Sequence, residues 1–186
     1  MSFVLVVVLA LVVFGTLQAV GSSNTASDFE FEVYQGQELL GGTYVRFNDV
    51  LALGKRVALN FWAGNCPPCR AEMSGFERVH QARGDEIIIL GMDVGIFTGL
   101  GYRNNANALL DELNITYPAG APPNRTPVVN FAVRGLPTTV FLNADGTVFD
   151  RVDGGIREEQ FVRIIDEFIA EHNAREAEAA EPVARQ

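Results

Sequence analysis

The segment Asn60–Met73, NFWAGNCPPCRAEM, joins two stretches with different hydrophobic patterns. The residues leading into it, RVALNFW at 56–62, form a nearly continuous apolar run that is typical of a buried strand. The residues that follow, 70–83, repeat apolar side chains at helical spacing. Cys66 is therefore predicted to lie where a strand ends and a helix begins, with Cys69 three residues later.

The two cysteines are too close together for a structural disulfide, because a loop this short hardly constrains the unfolded chain. A cysteine at a helix N-terminus meets unpaired backbone N–H groups and the positive end of the helix dipole, which favour the thiolate. Pro67 and Pro68 have no N–H, so we expect the amide of Cys69 to be the donor to Cys66. We predict that Cys66 is the nucleophile and Cys69 the less exposed thiol that resolves a mixed disulfide.

The other elements follow from hydrophobic periodicity. Alternating strands and helices predict an α/β fold with a mixed central sheet flanked by helices, closed by a hairpin and a helix. The glycine-rich run 95–101 lacks a phosphate-binding fingerprint and is expected to be a mobile loop near the site. Strands are predicted at 28–34, 56–62, 86–94, 138–142 and 147–152, and helices at 70–83, 104–113 and 157–172.

The N-terminus forms a separate compositional unit without any charged side chain before Asp28. Its apolar run, 3–20, is nearly long enough to cross a bilayer as a helix, which favours an uncleaved anchor. A cleavable signal peptide stays open, since small residues at 19 and 21 suit a signal peptidase. The predicted layout is an anchor or signal peptide at 1–21, a linker at 22–27, a domain at 28–172 and a flexible acidic tail at 173–186.

Charge and ligand spacing exclude other classes of function. With 14 Lys and Arg against 23 Asp and Glu, the net charge is −9, which argues against a general nucleic-acid binder. A zinc site on the cysteines would need two further ligands, and His80 and His172 are single residues without ligand spacing. We therefore predict neither a metal site nor a bound cofactor.

The CPPC motif at 66–69 and the later segment GLPTT at 135–139 together resemble the thioredoxin superfamily. Within it, the chain is most similar to the membrane-anchored TlpA/ResA-like thiol-disulfide oxidoreductases, over about residues 28–170. The resemblance implies a thioredoxin-like fold with an N-terminal β extension and a helical insertion at 95–125. The chain departs from the family at Asn65, where tryptophan is usual, at Asn60, which replaces an acidic residue and is interpreted as structural, and at Ser74, which replaces a proline.

The resemblance also implies roles for individual residues. Pro137 matches the cis-proline that lies opposite the dithiol, and Leu136 before it would offer its backbone to an extended partner. Pro67 and Pro68 belong to the same partner-binding surface. Glu72 matches an acidic residue that handles protons beside the dithiol, although a solvated helix position stays an alternative.

The function implied by the resemblance is enzymatic disulfide exchange with proteins outside the cytoplasm. Such an enzyme would act as a reductant, in cytochrome c maturation or a similar task, on partners that contain cysteine pairs. A membrane electron donor would reduce it again. The domain would sit outside the cytoplasmic membrane on a single-pass anchor, or be secreted or periplasmic after cleavage. An oxidant or isomerase with the same residues and a non-catalytic binding module are the alternatives.

Overall fold

This computed structural model describes residues 26–180, which form a seven-stranded mixed sheet with helices on both faces. The strand order is β2-β1-β5-β4-β3-β6-β7; β3, β4 and β5 run parallel, and the other neighbouring pairs run antiparallel. The predicted mixed sheet is confirmed. The strands are β1 (Glu30–Gln35), β2 (Tyr44–Arg46), β3 (Arg56–Trp62), β4 (Ile87–Asp93), β5 (Ala119–Ala121), β6 (Thr138–Leu142) and β7 (Val148–Asp153).

The helices cover the sheet so that β3 and β4 are buried along their whole length, which explains their continuous apolar sequences. The core on one face contains side chains of α3, α5 and α7, and the core on the other face contains those of α1, α2 and α6. The helices are α1 (Gln37–Leu40), α2 (Phe47–Leu51), α3 (Pro67–Arg83), α4 (Gly95–Thr98), α5 (Arg103–Glu112), α6 (Thr126–Asn130) and α7 (Glu158–Ala180).

Several short elements differ from the sequence-based expectation. The run 95–101 is not only a loop, because its first residues form the helical turn α4. The carboxylate of Asp93 accepts a hydrogen bond from the amide of Gly95 and so fixes the start of that turn. The final helix continues to Ala180, beyond the predicted limit at 172. The strand β5 and the helices α1, α2 and α6 are too short to give a hydrophobic period, and the sequence did not predict them.

The predicted N-terminal anchor or signal peptide, 1–21, lies outside the described residues. Within residues 26–180, no helix is both long and apolar enough to cross a membrane. The four domain limits proposed from composition stay predictions.

Candidate active site

The dithiol lies at the N-terminus of α3. Cys66 and Cys69 form a disulfide with their Cα atoms 5.3 Å apart, and both are nearly inaccessible, at 3% and 0% exposure. The Sγ of Cys66 accepts a hydrogen bond from the amide of Cys69 at 3.3 Å, which confirms the predicted donor. Pro67 and Pro68 occupy the first two helical positions and are exposed, so they form the surface around the disulfide.

The helical insertion supports the loop between β3 and Cys66. A Cβ on Gly64 would collide with the backbone of Asn105 in α5, so only glycine allows this close approach. The amide of Asn65 donates to the carbonyl oxygen of Leu100 at 2.8 Å. The segment 95–101 therefore lies beside the site, as predicted.

Glu72 lies on α3 one turn after Cys69, where residues three apart are neighbours on the helix surface. Its side chain is only 4% exposed, so the alternative of a solvated position is wrong. The carboxylate accepts hydrogen bonds from Asn60 Nδ2 and from the amide of Ile156, both at 2.8 Å. Burial raises the pKa of Glu72 to about 7, although the two hydrogen bonds oppose the shift. A carboxyl group with this pKa can accept and release a proton near neutral pH.

Sequence reasoning missed two groups that hold Glu72. Asn60, interpreted as structural, donates from its Nδ2 atom both to Glu72 and to Thr139 Oγ1, at 3.0 Å in the second case. A polar side chain inside the strand RVALNFW, on the same face as Trp62, could have indicated a buried polar partner. No side-chain pattern could have indicated Ile156, because its contribution comes from the backbone.

A cleft connects Glu72 with solvent. It measures about 450 Å³ and lies between α3 and the connection from β7 to α7. Pro68, Glu72 and Gly155 are among its lining residues. The cleft therefore gives the carboxyl group a route for proton exchange with water beside the active-site helix.

The cis-proline predicted by the resemblance is present. The Leu136–Pro137 peptide bond is cis, and Pro137 is buried. In the sheet, Thr138 at the start of β6 lies opposite Phe61 near the end of β3. Pro137 is therefore brought to the edge of the sheet where the dithiol loop begins. Leu136 is half-buried and contacts both cores.

The remaining candidate residues lie apart from this site. His80 is half-buried further along α3, where its ring contacts Tyr117 edge-on and burial lowers its pKa. Within the part of the chain that the structure describes, no three histidine, cysteine, aspartate or glutamate side chains converge as metal ligands would.

Comparison with known proteins identifies the family. A family model described as a thioredoxin-like domain matches residues 45–169, about two thirds of the chain. The chain belongs to the thioredoxin-like family. This result confirms the resemblance seen in the CPPC and GLPTT segments.

Relatives matched by sequence carry names of one enzyme class, and a solved structure shares the fold. The chain is 25% identical over 182 residues to the thiol-disulfide oxidoreductase ResA of Oceanobacillus iheyensis, covering 92% of this chain and 89% of that one. It is 29% identical over 131 residues to the thiol:disulfide interchange protein HelX of Rhodobacter capsulatus, covering 69% and 70%. A thioredoxin family thiol:disulfide interchange protein of Chlorobium tepidum superposes with a TM-score of 0.63 at 22% identity, covering 78% and 95%.

The dithiol at the N-terminus of α3, within this family, makes the protein a thioredoxin-like thiol-disulfide oxidoreductase. The predicted enzyme class is confirmed. The individual roles of Cys66, Cys69 and Glu72, and of the partner-binding residues, stay predictions.

Proposed function

We propose that this thioredoxin-like enzyme is a reductant that works outside the cytoplasmic membrane. It transfers two electrons from its dithiol to disulfides in partner proteins that contain cysteine pairs. Cytochrome c maturation, or a similar supply of reduced cysteines, is the task that the TlpA/ResA-like resemblance suggests. A membrane electron donor restores the reduced form after each cycle.

The chemistry proceeds in two exchange steps. The Cys66 thiolate attacks a partner disulfide, forms a mixed disulfide, and releases the first partner sulfur as a thiolate that takes a proton from water. Cys69 then gives its thiol proton to the Glu72 carboxylate and attacks the Sγ of Cys66. The Cys66–Cys69 disulfide forms, the second partner sulfur leaves as a thiolate, and Glu72 passes its proton to water in the cleft.

The observation that carries the proposed direction is the small number of donors at Cys66. The side chain of a residue that precedes a helix can accept from the second or third helical amide; proline at the second position of α3 removes one of these, and the Cys69 amide is the donor to Cys66. A strong oxidant needs a strongly stabilised reduced form, as in DsbA. The sparse donor set around Cys66 instead supports a low reduction potential.

The reduction potential tests this direction. The purified chain is equilibrated with defined thiol-disulfide buffers, and the oxidised fraction is measured by thiol labelling. We expect a potential close to that of thioredoxin, about −270 mV. A value close to that of DsbA, about −120 mV, would instead identify an oxidant or isomerase.

The proposed location rests on the uncharged apolar segment 3–20. A domain anchored outside the cytoplasmic membrane should remain with the membrane fraction and be cut by protease added to intact spheroplasts. Recovery in the soluble fraction outside the cell would indicate cleavage of the segment. Protection of the domain until the spheroplasts are lysed would contradict an extracytoplasmic location.

A further inference from the structure

We infer that Arg151 positions the loop 132–137 for partner docking, acting from β7 by direct contacts at the start of the loop and through Asp153 at its end. The loop carries Leu136, the residue proposed to offer its backbone to the partner. Arg151 lies within β7, opposite Val140 of β6. Its contacts join the backbone at the end of α6 to the end of its own strand.

At the start of the loop, Arg151 binds two backbone carbonyl groups. Its Nη1 atom donates to the carbonyl oxygen of Phe131, and its Nη2 atom donates to that of Ala132 at 3.1 Å. These carbonyls follow α6, where a helix end leaves acceptors without helical partners. Ala132 has a φ of 48°, in the left-handed region that disfavours residues with a Cβ. The surroundings must therefore hold this backbone in place, and Arg151 supplies two of the contacts.

At the other end of the loop, Asp153 connects Arg151 with Thr138. Its carboxylate accepts from Nε of Arg151 at 3.1 Å and from Nη2 at 2.7 Å. The hydroxyl of Thr138 lies 3.1 Å from the same carboxylate and 2.9 Å from the carbonyl oxygen of Gly135. The amide of Gly154 donates to the carbonyl oxygen of Pro137 at 2.9 Å. Asp153 at the end of β7 and Gly154 directly after it thus hold the loop on both sides of Leu136.

The guanidinium group suits this position better than another cation would. It bonds two carbonyl oxygens and one carboxylate through a planar set of donors. A lysine ammonium on a flexible stem cannot span all three acceptors in fixed directions. An arginine that only formed a surface ion pair would need the carboxylate alone, so the carbonyl contacts distinguish a positioning role.

This inference rests on the proposed docking of partners at Leu136. The test compares insulin, a protein disulfide, with cystamine, a small disulfide that has no peptide backbone to pair with the loop. Steady-state kinetics are measured for the full-length chain and for Arg151→Gln, with the small dithiol dithiothreitol reducing the Cys66–Cys69 disulfide in each turnover and its direct reaction with each substrate subtracted. The matched control is Arg83→Gln, because Arg83 has a similar exposure, 30% against 29%, and pairs with Glu86 and Asp166 away from the loop.

We expect Arg151→Gln to raise KM for insulin about fivefold to tenfold relative to cystamine, since loss of directed hydrogen bonds lets the loop depart from its docking geometry. The kcat and the reduction potential should change much less than KM, because the dithiol keeps its own contacts. Asp153→Asn should give a smaller increase in the same direction, and it serves as the second variant if Arg151→Gln fails to fold. Arg83→Gln should leave the ratio of the two KM values unchanged.

Equal losses with insulin and cystamine would contradict the inference, because they would indicate general damage to the fold or to the dithiol. A third variant, Leu136→Asp, distinguishes failure of the inference about Arg151 from failure of the proposed docking at the loop. If Leu136→Asp raises KM for insulin and Arg151→Gln does not, docking at the loop stands and the positioning role of Arg151 is wrong. If neither variant changes KM, partners do not dock at this loop and both ideas are wrong.

Discussion

Helix α3 carries two buried glutamates, Glu72 and Glu77, whose carboxyl groups lie in different surroundings. Their exposures are similar, at 4% and 6%. The Glu77 carboxylate accepts hydrogen bonds from the amide and hydroxyl of Thr116, at 2.8 and 2.6 Å, and from Gln81 Nε2 at 2.9 Å. The amide of Tyr117 lies 3.4 Å away as a weaker donor. Glu72 accepts only two hydrogen bonds.

Differences in burial and in donors together reverse the direction of the pKa shift, because the carboxyl group of Glu72 is buried more deeply than that of Glu77 and accepts fewer hydrogen bonds. Burial alone would raise the pKa of Glu77, but the hydrogen bonds led by those from Thr116 outweigh it and lower the pKa. At Glu72, burial outweighs the bonds from Ile156 and Asn60, and the pKa rises to about 7. On one helix, the depth of burial and the donor set together therefore separate a carboxylate that is charged at neutral pH from a carboxyl group that can carry a proton.

The largest effect is expected from Glu77→Ala. The change leaves the amides of Thr116 and Tyr117 without their acceptor at the entry to β5. We expect the free energy of unfolding at pH 7 to fall by about 3 kcal/mol, as measured by urea denaturation of the oxidised protein. Because the pKa of Glu77 is lowered in the folded state, this contribution is present above its ordinary value of 4.5 and is lost as the pH falls through the folded-state pKa.

Glu112→Ala is the control for this loss, because Glu112 is an exposed glutamate of α5 paired with Arg70. Its removal should hardly change the unfolding curve. The comparison between the two buried glutamates would fail if Glu77→Ala were as stable as Glu112→Ala, since the Glu77 hydrogen bonds would then contribute little.

The second effect concerns Glu72→Gln and has the opposite dependence on pH. Between pH 4.5 and about 7 the folded protein keeps a proton on Glu72 that the unfolded chain has lost. Stability therefore falls as the pH rises through this window, by about 2 kcal/mol between pH 5 and pH 8 from this group. The variant lacks that decrease, because glutamine does not ionise. Wild-type and variant urea curves, measured every half unit of pH, should diverge progressively above pH 5.

The same variant tests the proposed proton transfer. Glu72→Gln should slow the resolving attack by Cys69 at pH 7, measured as decay of a mixed disulfide formed on Cys66. Glu77→Ala, measured under conditions where it is folded, should keep the wild-type rate. For the stability prediction above, the same pH dependence of the free energy of unfolding in wild type and Glu72→Gln would show that Glu72 is not the group whose pKa is raised.

The sequence predicted the elements that present a long apolar pattern, and the structure confirms them. The bounds of β3 and β6 match the prediction, and the CPPC and GLPTT segments indicated both sides of the site. By contrast, β5 has the sequence AGA and depends on its pairing with β1 and β4. There a Cβ on Gly120 would collide with the carbonyl oxygen of Glu32. Such close packing is decided by tertiary structure, so no local pattern reveals it.

The environment of Glu72 was beyond prediction for a similar reason. The resemblance to the TlpA/ResA-like enzymes implied a place for Glu72 beside the dithiol, but its pKa depends on how deeply it is buried and on which donors reach it. One of those donors, the amide of Ile156, lies 84 residues along the chain. Asn60, 12 residues away, reaches Glu72 only because α3 packs over β3. A family resemblance can therefore propose a proton carrier, whereas burial and the hydrogen-bond donors of the folded protein determine its pKa.

The smallest effect is expected from Asn60→Ala, which removes one donor from Glu72 and extends the contrast with Glu77. Loss of a hydrogen bond to the charged form should raise the pKa of Glu72 by about one unit, measured by carbon NMR titration of the carboxyl group. Thr139→Ala is the control, because Thr139 contacts Asn60 and leaves its bond to Glu72 in place. If Asn60→Ala instead lowers the pKa of Glu72, water entering the space solvates the carboxylate better than Asn60 does. The exclusion of water from Glu72, more than the identity of its hydrogen-bond donors, would then explain why its pKa differs from that of Glu77.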